Sequence, residues 1–447
     1  MECSFEERKR QLEQECVIEE GLFAESRARL TQFMLPFVVS FSRRLQREHA
    51  ATFVGGLCSD LAHKNAESIA YHFGLERKAM QHFVGESTWD DEPVRRELGR
   101  QIAEQLGTSD GVLVFDPSGY PKSGKESVGV ARQWCGRLGK VDNCQVGIYL
   151  GYVSGRGHAL VDGELYLPEE WTKDRARLKK AGVPTTKQKH RTRHTICWEL
   201  LQRHGKQLPH GWITGDDKLG RPSEFRQKLR DLKEQYLFAV PCNTLFRDWE
   251  VPPPESHGSG KPRVRPTVRA DAWTAAQPAS AWQRIDVRDA EKGPLIVEIL
   301  SRHVPTSRKT RAGAAEETLV VIRYRGRDQA IVKQDYYLSN APSTTPLAEF
   351  ARVAKAEHRI EECFDRGKGE AGLADYEVRN WVGWHHHQTL SLLASWFLNI
   401  ETRRAEKKDA GHHLQSSPAV HRLDHPRPLR MRFTPPRQTP HYATTPA

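Results

Sequence analysis

Two aspartates stand where apolar runs end. Asp116 follows Val112-Leu113-Val114-Phe115 and precedes Pro117-Ser118-Gly119, and Asp216 follows Trp212-Ile213-Thr214-Gly215. A carboxylate at the end of a buried strand is costly unless it is solvated, hydrogen-bonded or metal-bound. Taken singly, each is also explained by capping a turn or a helix. A third stretch, HRIEECFDRGKGEAGL, sets Glu361 and Lys368 seven residues apart. On a helix that spacing brings the two side chains to nearly the same face, two turns apart. Ile360 and Phe364 give the helix an apolar side, and Glu362 is a second candidate for its carboxylate. A carboxylate with an ammonium further along one face can hold a metal ion beside a phosphate, although a charged solvated helix has the same pattern. The ordered combination of all three stretches weighs more than any one of them singly.

Competing motifs fail on particular residues. Gly119-Tyr-Pro-Lys-Ser-Gly124-Lys125 fits the phosphate-cradling loop of nucleotide hydrolases. That loop needs a Ser or Thr next, and Glu126 stands there instead, while Pro121 removes a backbone N–H from the cradle. No nucleotide cofactor is therefore expected. The clusters His385-His386-His387 and His412-His413 suggest zinc, but consecutive helical residues point about 100° apart and no Cys sits at finger spacing. No G-x-S-x-G elbow supports a serine hydrolase.

The elements that must position these residues form a mixed α/β pattern. Residues 1–105 read as helical, with apolar positions at three- and four-residue spacing and Arg43, Arg44, Arg47, Lys64, Arg77 and Lys78 between them. These cations suit either a DNA-contacting lobe or a solvated helix face. From Gly111 short strand-like runs follow (GVLVFD, QVGIYLGYV, HALVDGELYL), then helices near 169–181 and 193–205, the run into Asp216, a helix near 223–234 and the strand YLFAVP. The segment VPPPESHGSGKPRVRP holds five prolines and marks a boundary or exposed loop. Further strands (LIVEILSRHV, TLVVIRYRG, QDYYLSN) precede helices that resume near Pro346.

The 447 residues suffice for two or three lobes. Lys and Arg number 68 against 57 Asp and Glu, a net charge of +11 that suits a polyanionic partner. From Thr402 to the last residue nine Lys or Arg meet three Asp or Glu, with many Pro and His and almost no apolar periodicity, which predicts a disordered basic tail. The eight cysteines are scattered singly and read as reduced thiols in a cytosolic protein. The first residues, MECSFEERKRQLEQE, offer no apolar signal core, and TLSLLASWFLNI is too short to span a bilayer.

The series VLVFDPSGYPKSG, WITGDDKLGR and HRIEECFDRGKGE, with a β-rich stretch between the second and third, closely resembles the DDE transposases of bacterial insertion sequences, in the IS-four-like and IS-seven-hundred-one-like branch. GLCSDLAHKN, RQWCGRLGKVDNCQVGIYLGY and GLADYEVRNWVGWHHH are similar to the same family, so the resemblance covers most of residues 30–400. It implies an α/β fold: an RNase H-like mixed sheet with flanking helices, interrupted by a β-rich insertion and preceded by a helical N-terminal domain. Asp116 matches the first catalytic Asp, Asp216 rather than Asp217 the second, and Glu361 the acid of the third motif, with Lys368 following it. Leu219 replaces the usual aromatic after the second Asp. In the third motif Ala354 and Glu357 stand where the family has Tyr and Arg, and Arg359 is a spatial substitute for that Arg.

The resemblance implies a transposase that cuts element ends with water as nucleophile and joins the freed 3′-OH to target DNA. Asp116, Asp216 and Glu361 would be both the catalytic and the metal-binding residues, holding two Mg²⁺ or Mn²⁺ ions roughly 4 Å apart. Lys368, Arg359, Lys122, Lys125, Lys179, Lys180, Lys187, Lys189, Arg191 and Arg193 are the expected DNA contacts, partly from the basic run 173–193. The partners implied are double-stranded DNA, as terminal repeats and target, and a second copy on DNA, with no membrane. The expected place is the bacterial cytoplasm, at the nucleoid. The expected organisation is a helical DNA-binding or dimerisation domain at 1–105, a catalytic core at 106–240 and 343–401, an insertion at 241–342 and the tail at 402–447. In relatives that make hairpin ends an aromatic of the insertion stacks on a flipped base, but a core position is the expected role for any one of Trp249, Trp273 and Trp282, and none is assigned. Two other readings stay open: a transposase-derived DNA-binding protein without catalysis, and a metal-dependent endonuclease without strand transfer.

Overall fold

A computed structural model describes residues 25–248, 251–252, 266–290, 293–305, 316–326 and 329–413. The charged first residues, most of the Pro-rich segment and positions 414–447 lie outside the described residues.

Five helices come first: α1 (Ser26–Val38), α2 (Arg44–Leu57), α3 (Ala66–His72), α4 (Arg77–Gly85) and α5 (Glu92–Leu106). Asn65 caps α3 by accepting from the Ser68 N–H at 2.8 Å, and Pro93 sits in the first turn of α5, where no intrahelical N–H bond is lost. The strand-rich block is β1 (Val112–Pro121), β2 (Ala131–Cys135), β3 (Lys140–Ser154) and β4 (Gly157–Tyr166). Next come α6 (Glu169–Lys173), α7 (Arg175–Lys180), α8 (Arg193–His204), β5 (Trp212–Gly215), α9 (Asp217–Gly220), α10 (Ser223–Asp231) and β6 (Tyr236–Val240). Beyond them lie β7 (Leu245–Phe246), β8 (Val268–Arg269), α11 (Ala270–Ala275), β9 (Gln283–Ala290), β10 (Gly293–Pro305), β11 (Glu316–Arg325) and β12 (Ile331–Ser339). Two long helices, α12 (Leu347–Glu370) and α13 (Trp381–His413), complete the described chain.

One ten-stranded sheet runs β2-β3-β1-β5-β6-β12-β11-β10-β9, with β4 also paired to β3. β1, β5 and β6 are mutually parallel and the remaining pairs antiparallel. This is the mixed sheet with flanking helices expected of an RNase H-like fold. The inserted strands are continuous with it, because Tyr336–Ser339 of β12 pair with Leu237–Val240 of β6. β11 is buried on both faces: Val320 and Ile322 join the main core, Leu319 and Val321 a second core with Phe246 and Trp273. That double burial explains its unbroken apolar run.

Two expectations are corrected. β1 does not end at Asp116 but continues to Pro121 against β3, while its pairing with β5 stops at Phe115 opposite Gly215. Pro117 lacks an N–H and is tolerated where the strand has lost that neighbour. The helical segment also passes position 402 and reaches His413, because Glu401 is anchored by Arg29 at 2.6 Å and Arg404 at 3.1 Å. Among the described residues no helix is long and apolar enough to cross a membrane.

Candidate active site

The register of β1 and β5 places Asp116 and Asp216 side by side. Both follow immediately after the last parallel pair, Phe115 and Gly215, and adjacent strands lie about 4.8 Å apart. Val114 and Thr214 are also opposite each other, so by strand alternation both aspartates share the face on which Thr214 points. That face is covered by α12, since the Thr214 hydroxyl lies 3.5 Å from Glu357 Oε1.

Close contact between α12 and the sheet depends on Gly151, which pairs with Val114. A Cβ there would stand 2.3 Å from Ile360 Cδ1. One row further, Tyr149 pairs with Asp116 and packs edge-on against Phe364 at 5.1 Å. Further along, the Lys368 ammonium lies 5.9 Å from the centre of the Tyr120 ring. The helix therefore runs beside β1 and lays Glu357 and Lys368 along the carboxylates, with Glu361 between them in the sequence and turned outward. Its C-terminal end is held by the buried Lys64, whose ammonium donates to the carbonyls of Leu57 and Glu370. Lys64 is thus a tie between the first helices and α12, not a surface cation. Gly372, in the left-handed region at φ 65°, passes so close that a Cβ would meet Leu57 and Lys64 at 2.8 Å.

The electrostatics are those of crowded negative charge. Burial, then the charges of Asp216 and Glu361, push the Asp116 carboxyl well above its ordinary range, against the pull of Lys368. Burial also raises Asp216, opposed by the Leu219 N–H that its side chain accepts at 2.9 Å. Glu357, half-buried on the same face, is pushed up to about 8 by burial and then by Asp116, Asp216, Asp335 and Glu361. Lys368 is lowered by burial and by Arg137, against Asp365 and Asp116. Asp116, Asp216, Glu357 and Glu361 thus crowd together near Lys368, with Arg193 and Lys218 as the charged neighbours of Asp216. The hard oxygen donors of these acids and their crowding fit a divalent cation. Among the described residues, however, no three His, Cys, Asp or Glu side chains already stand at metal-binding separation.

The expected site residues separate into groups. Asp116, Asp216 and Lys368 converge, whereas the Glu361 side chain is 68 % exposed and accepts from or abuts His358 Nδ1 at 3.2 Å. Glu362 turns away: Arg359 donates to it at 2.8 Å and His158 lies at 3.5 Å. Arg359 is therefore engaged by Glu362 instead of replacing the missing Arg. Asp217 is paired with Arg221 at 2.7 Å. Glu357 and Asp335 were missed as site acids. Glu357 is legible in retrospect, because it lies one helical turn before Glu361 on the same face; Asp335 carries no such signal.

The basic run is not uniformly at the surface. Lys125, Lys179 and Lys189 are exposed, and Lys180 is exposed but paired with Glu126 at 2.6 Å. Arg193 lies 5.3 Å from the Tyr166 ring and is a charged neighbour of Asp216. Three others turn inward, correcting the expectation of an even DNA-tracking stripe. Lys122 donates to the Tyr376 carbonyl at 3.1 Å, and burial pushes it down to about 8. Arg191 is buried against Glu199 at 2.7 Å, and Lys187 reaches the same Glu199 at 3.0 Å. In the insertion, Trp273 is buried and donates to Asp248 at 2.9 Å, Trp282 lies under the Arg323 guanidinium at 3.7 Å, and Trp249 lies outside the described residues. His385, His386 and His387 are buried, with His386 stacked on Trp89 at 3.6 Å and His387 Nε2 2.8 Å from the Gly372 carbonyl.

Comparison with known proteins bears on the family of the chain. Residues 36–294 match the family described as DDE superfamily endonuclease, more than half of the chain. A protein of Microchaete diplosiphon, the probable transposase for insertion sequence element IS701, is 30 % identical over 192 residues, 42 % of this chain and 47 % of that protein. The match thus spans about half the length of that curated relative. With a family match that begins near the end of α1 and includes both aspartates, the chain belongs to the DDE superfamily endonuclease family.

Proposed function

We propose that the chain is a DNA transposase, cleaving the ends of its own element and joining the 3′-OH ends to target DNA. The single observation that carries this reading is the pairing of Asp116 and Asp216 at the mouth between β1 and β5, under a helix that presents Glu357, Glu361 and Lys368. Asp116 and Asp216, with Glu361 and Glu357 from α12, are the residues that would hold Mg²⁺ or Mn²⁺. Bound there, such ions supply charge stabilisation at phosphorus and an activated attacking oxygen. Lys368 neutralises a phosphate oxygen beside the carboxylates, and its partial burial makes that charge act through a lower dielectric than water. Glu357 holds a proton to about 8 in the metal-free protein and gives it up as positive charge enters the site. The exposed cations Lys125, Lys179 and Lys189 add salt-dependent contacts to the DNA backbone. Two copies on DNA would hold two ends together before joining, at the bacterial nucleoid.

A second reading is favoured by one observation: the outward-turned Glu361, beside the Ala354 and Glu357 departures, suits a DNA-binding protein that has lost catalysis. An excision assay in cells separates the readings, with the DNA flanking the gene as donor ends. The transposase reading predicts excised and rejoined products from wild type and none from Asp116→Ala or Asp216→Ala. End binding without excision by wild type supports the second reading instead, and cut ends without joined product support an endonuclease.

A further inference from the structure

The hairpin of β2 and β3 borders the carboxylates and carries a side chain that the fold leaves uncovered. Among the described residues Trp134 is the only tryptophan in the exposed class, at 47 %. Its cross-strand partner is Val141, 52 % exposed, and Leu138 in the connecting turn is 41 % exposed. Burying an indole is favourable, so three exposed apolar side chains on one short hairpin are unusual unless something covers them. The surroundings are cationic. Arg132 lies two residues from Trp134 on the same strand face and is exposed, as is Arg137 in the turn. The ammonium of Lys218 stands 5.5 Å from the Trp134 ring centre.

Two separate links tie this patch to the site. Lys218 is two residues beyond Asp216, and Arg137 is a charged neighbour of Lys368, itself a neighbour of Asp116. The nearby acids are already matched, Asp142 by Lys140 at 2.9 Å and Asp217 by Arg221 at 2.7 Å. A flat exposed indole ringed by cations, at the edge of a phosphodiester-processing site, has the chemistry of a surface for an unpaired nucleotide: a π face for the base and positive charge for its phosphates. Three apolar side chains are few for a stable protein interface, which engages about 20–30 residues a side. The tryptophans of the insertion do not compete among the described residues, since Trp273 is buried and Trp282 is covered by Arg323.

We propose that the β2–β3 hairpin is a stacking clamp for an unpaired base at a DNA end, with Trp134 as the platform and Arg132, Arg137 and Lys218 as its phosphate contacts. The inference rests on the DNA-processing function above and places single-strand recognition on the catalytic core itself, outside the insertion.

The test uses the full chain without divalent metal, so that no chemistry is required. Two probes share one duplex sequence: one ends in a short single-stranded overhang bearing 2-aminopurine, and the other is blunt with 2-aminopurine paired. Binding is read by anisotropy and stacking by 2-aminopurine fluorescence. Wild type is expected to bind both probes and to change the fluorescence of the overhang base alone. Trp134→Ala is expected to abolish that change and weaken overhang binding roughly five- to hundredfold, while blunt-duplex affinity stays put. Trp134→Tyr is expected to restore much of both signals. Retention of the fluorescence change and affinity by Trp134→Ala overturns the clamp while leaving the DNA reading intact. A shift in oligomeric state with unaltered overhang signals also overturns it, assigning the patch to a second copy of the chain. Failure of wild type to bind either probe contradicts the DNA reading, and the clamp with it.

Discussion

Glu357 stands where the resemblance implies an arginine, beside Asp116 and Asp216. A cation at that place would neutralise the aspartates; a half-buried carboxyl does not, and burial and crowding keep it protonated up to about 8. If Glu357 serves the ion as a donor, Glu357→Gln lowers Mn²⁺ affinity about tenfold or more, as loss of a supporting or direct ligand does. Glu362→Gln, whose carboxylate is held by Arg359, leaves affinity unchanged. Isothermal titration in buffers of different protonation enthalpy adds a second readout. Because Glu357 keeps its proton up to about 8, ion binding near neutrality releases a proton in wild type and less in the variant. Equal affinity and equal proton release in Glu357→Gln would reduce this residue to a buried structural acid. Asp116 and Asp216 were legible in the sequence because each ends an apolar run. Glu357 was legible as a departure and by its place one helical turn before Glu361, but nothing in a linear motif says that it is turned further into the sheet.

At the scale of elements, the site depends on how closely α12 lies on β3 and β1. Gly151 permits that approach, and a valine there would drive its side chain into Ile360, whose Cδ1 is 2.3 Å from the position of a Cβ. Gly151→Val is therefore expected to cost about 1–3 kcal/mol, the usual range for overpacking, and to lower cleavage without touching a carboxylate. Thermal denaturation and DNA cutting, measured together, check this; a variant as stable and active as wild type would mean that α12 shifts freely. The apolar spacing of Ile360 and Phe364 announced this helix, and Pro346 marks its start. The extent of β1 was less legible. Pro117 and Gly119 read as the opening of a loop, yet β3 supplies a long partner that carries the strand on to Pro121. That partner is a tertiary fact that local turn propensities do not contain.

At the scale of the whole molecule, the sheet is braced on β4 by a buried ionic cluster. Asp162 faces Arg95 at 2.8 Å, Arg203 at 2.6 Å and His204 at 2.7 Å, and Glu164 accepts from Arg203 at 3.0 Å. Burial alone would raise the Asp162 carboxyl, but Arg95, the His204 bond and Arg203 hold it far below the usual range. Its stabilisation is therefore complete above the ordinary carboxylate pKa of about 4 and is lost as pH falls from there towards the folded value. Asp162→Asn is expected to cost about 3–5 kcal/mol at neutral pH, and the gap to wild type should narrow in acid. Urea midpoints at neutral and acidic pH measure it, and a pH-independent gap would contradict the ionic account. None of this cluster was legible from sequence, because its members come from α5, β4 and α8 with no common spacing. The continuity of the inserted strands with the main sheet was hidden for the same reason: β6 and β12 are distant in the chain and adjacent only in the fold. The central claim, that Asp116 and Asp216 together serve metal-dependent DNA cleavage, is tested most directly by incubating purified protein with the DNA flanking its gene, with and without Mg²⁺. Cutting at the element ends by wild type with Mg²⁺, and none by Asp116→Asn or Asp216→Asn that still bind the ends, is the predicted result. Equal cutting by either variant, or cutting by wild type that persists in a chelator, would contradict it.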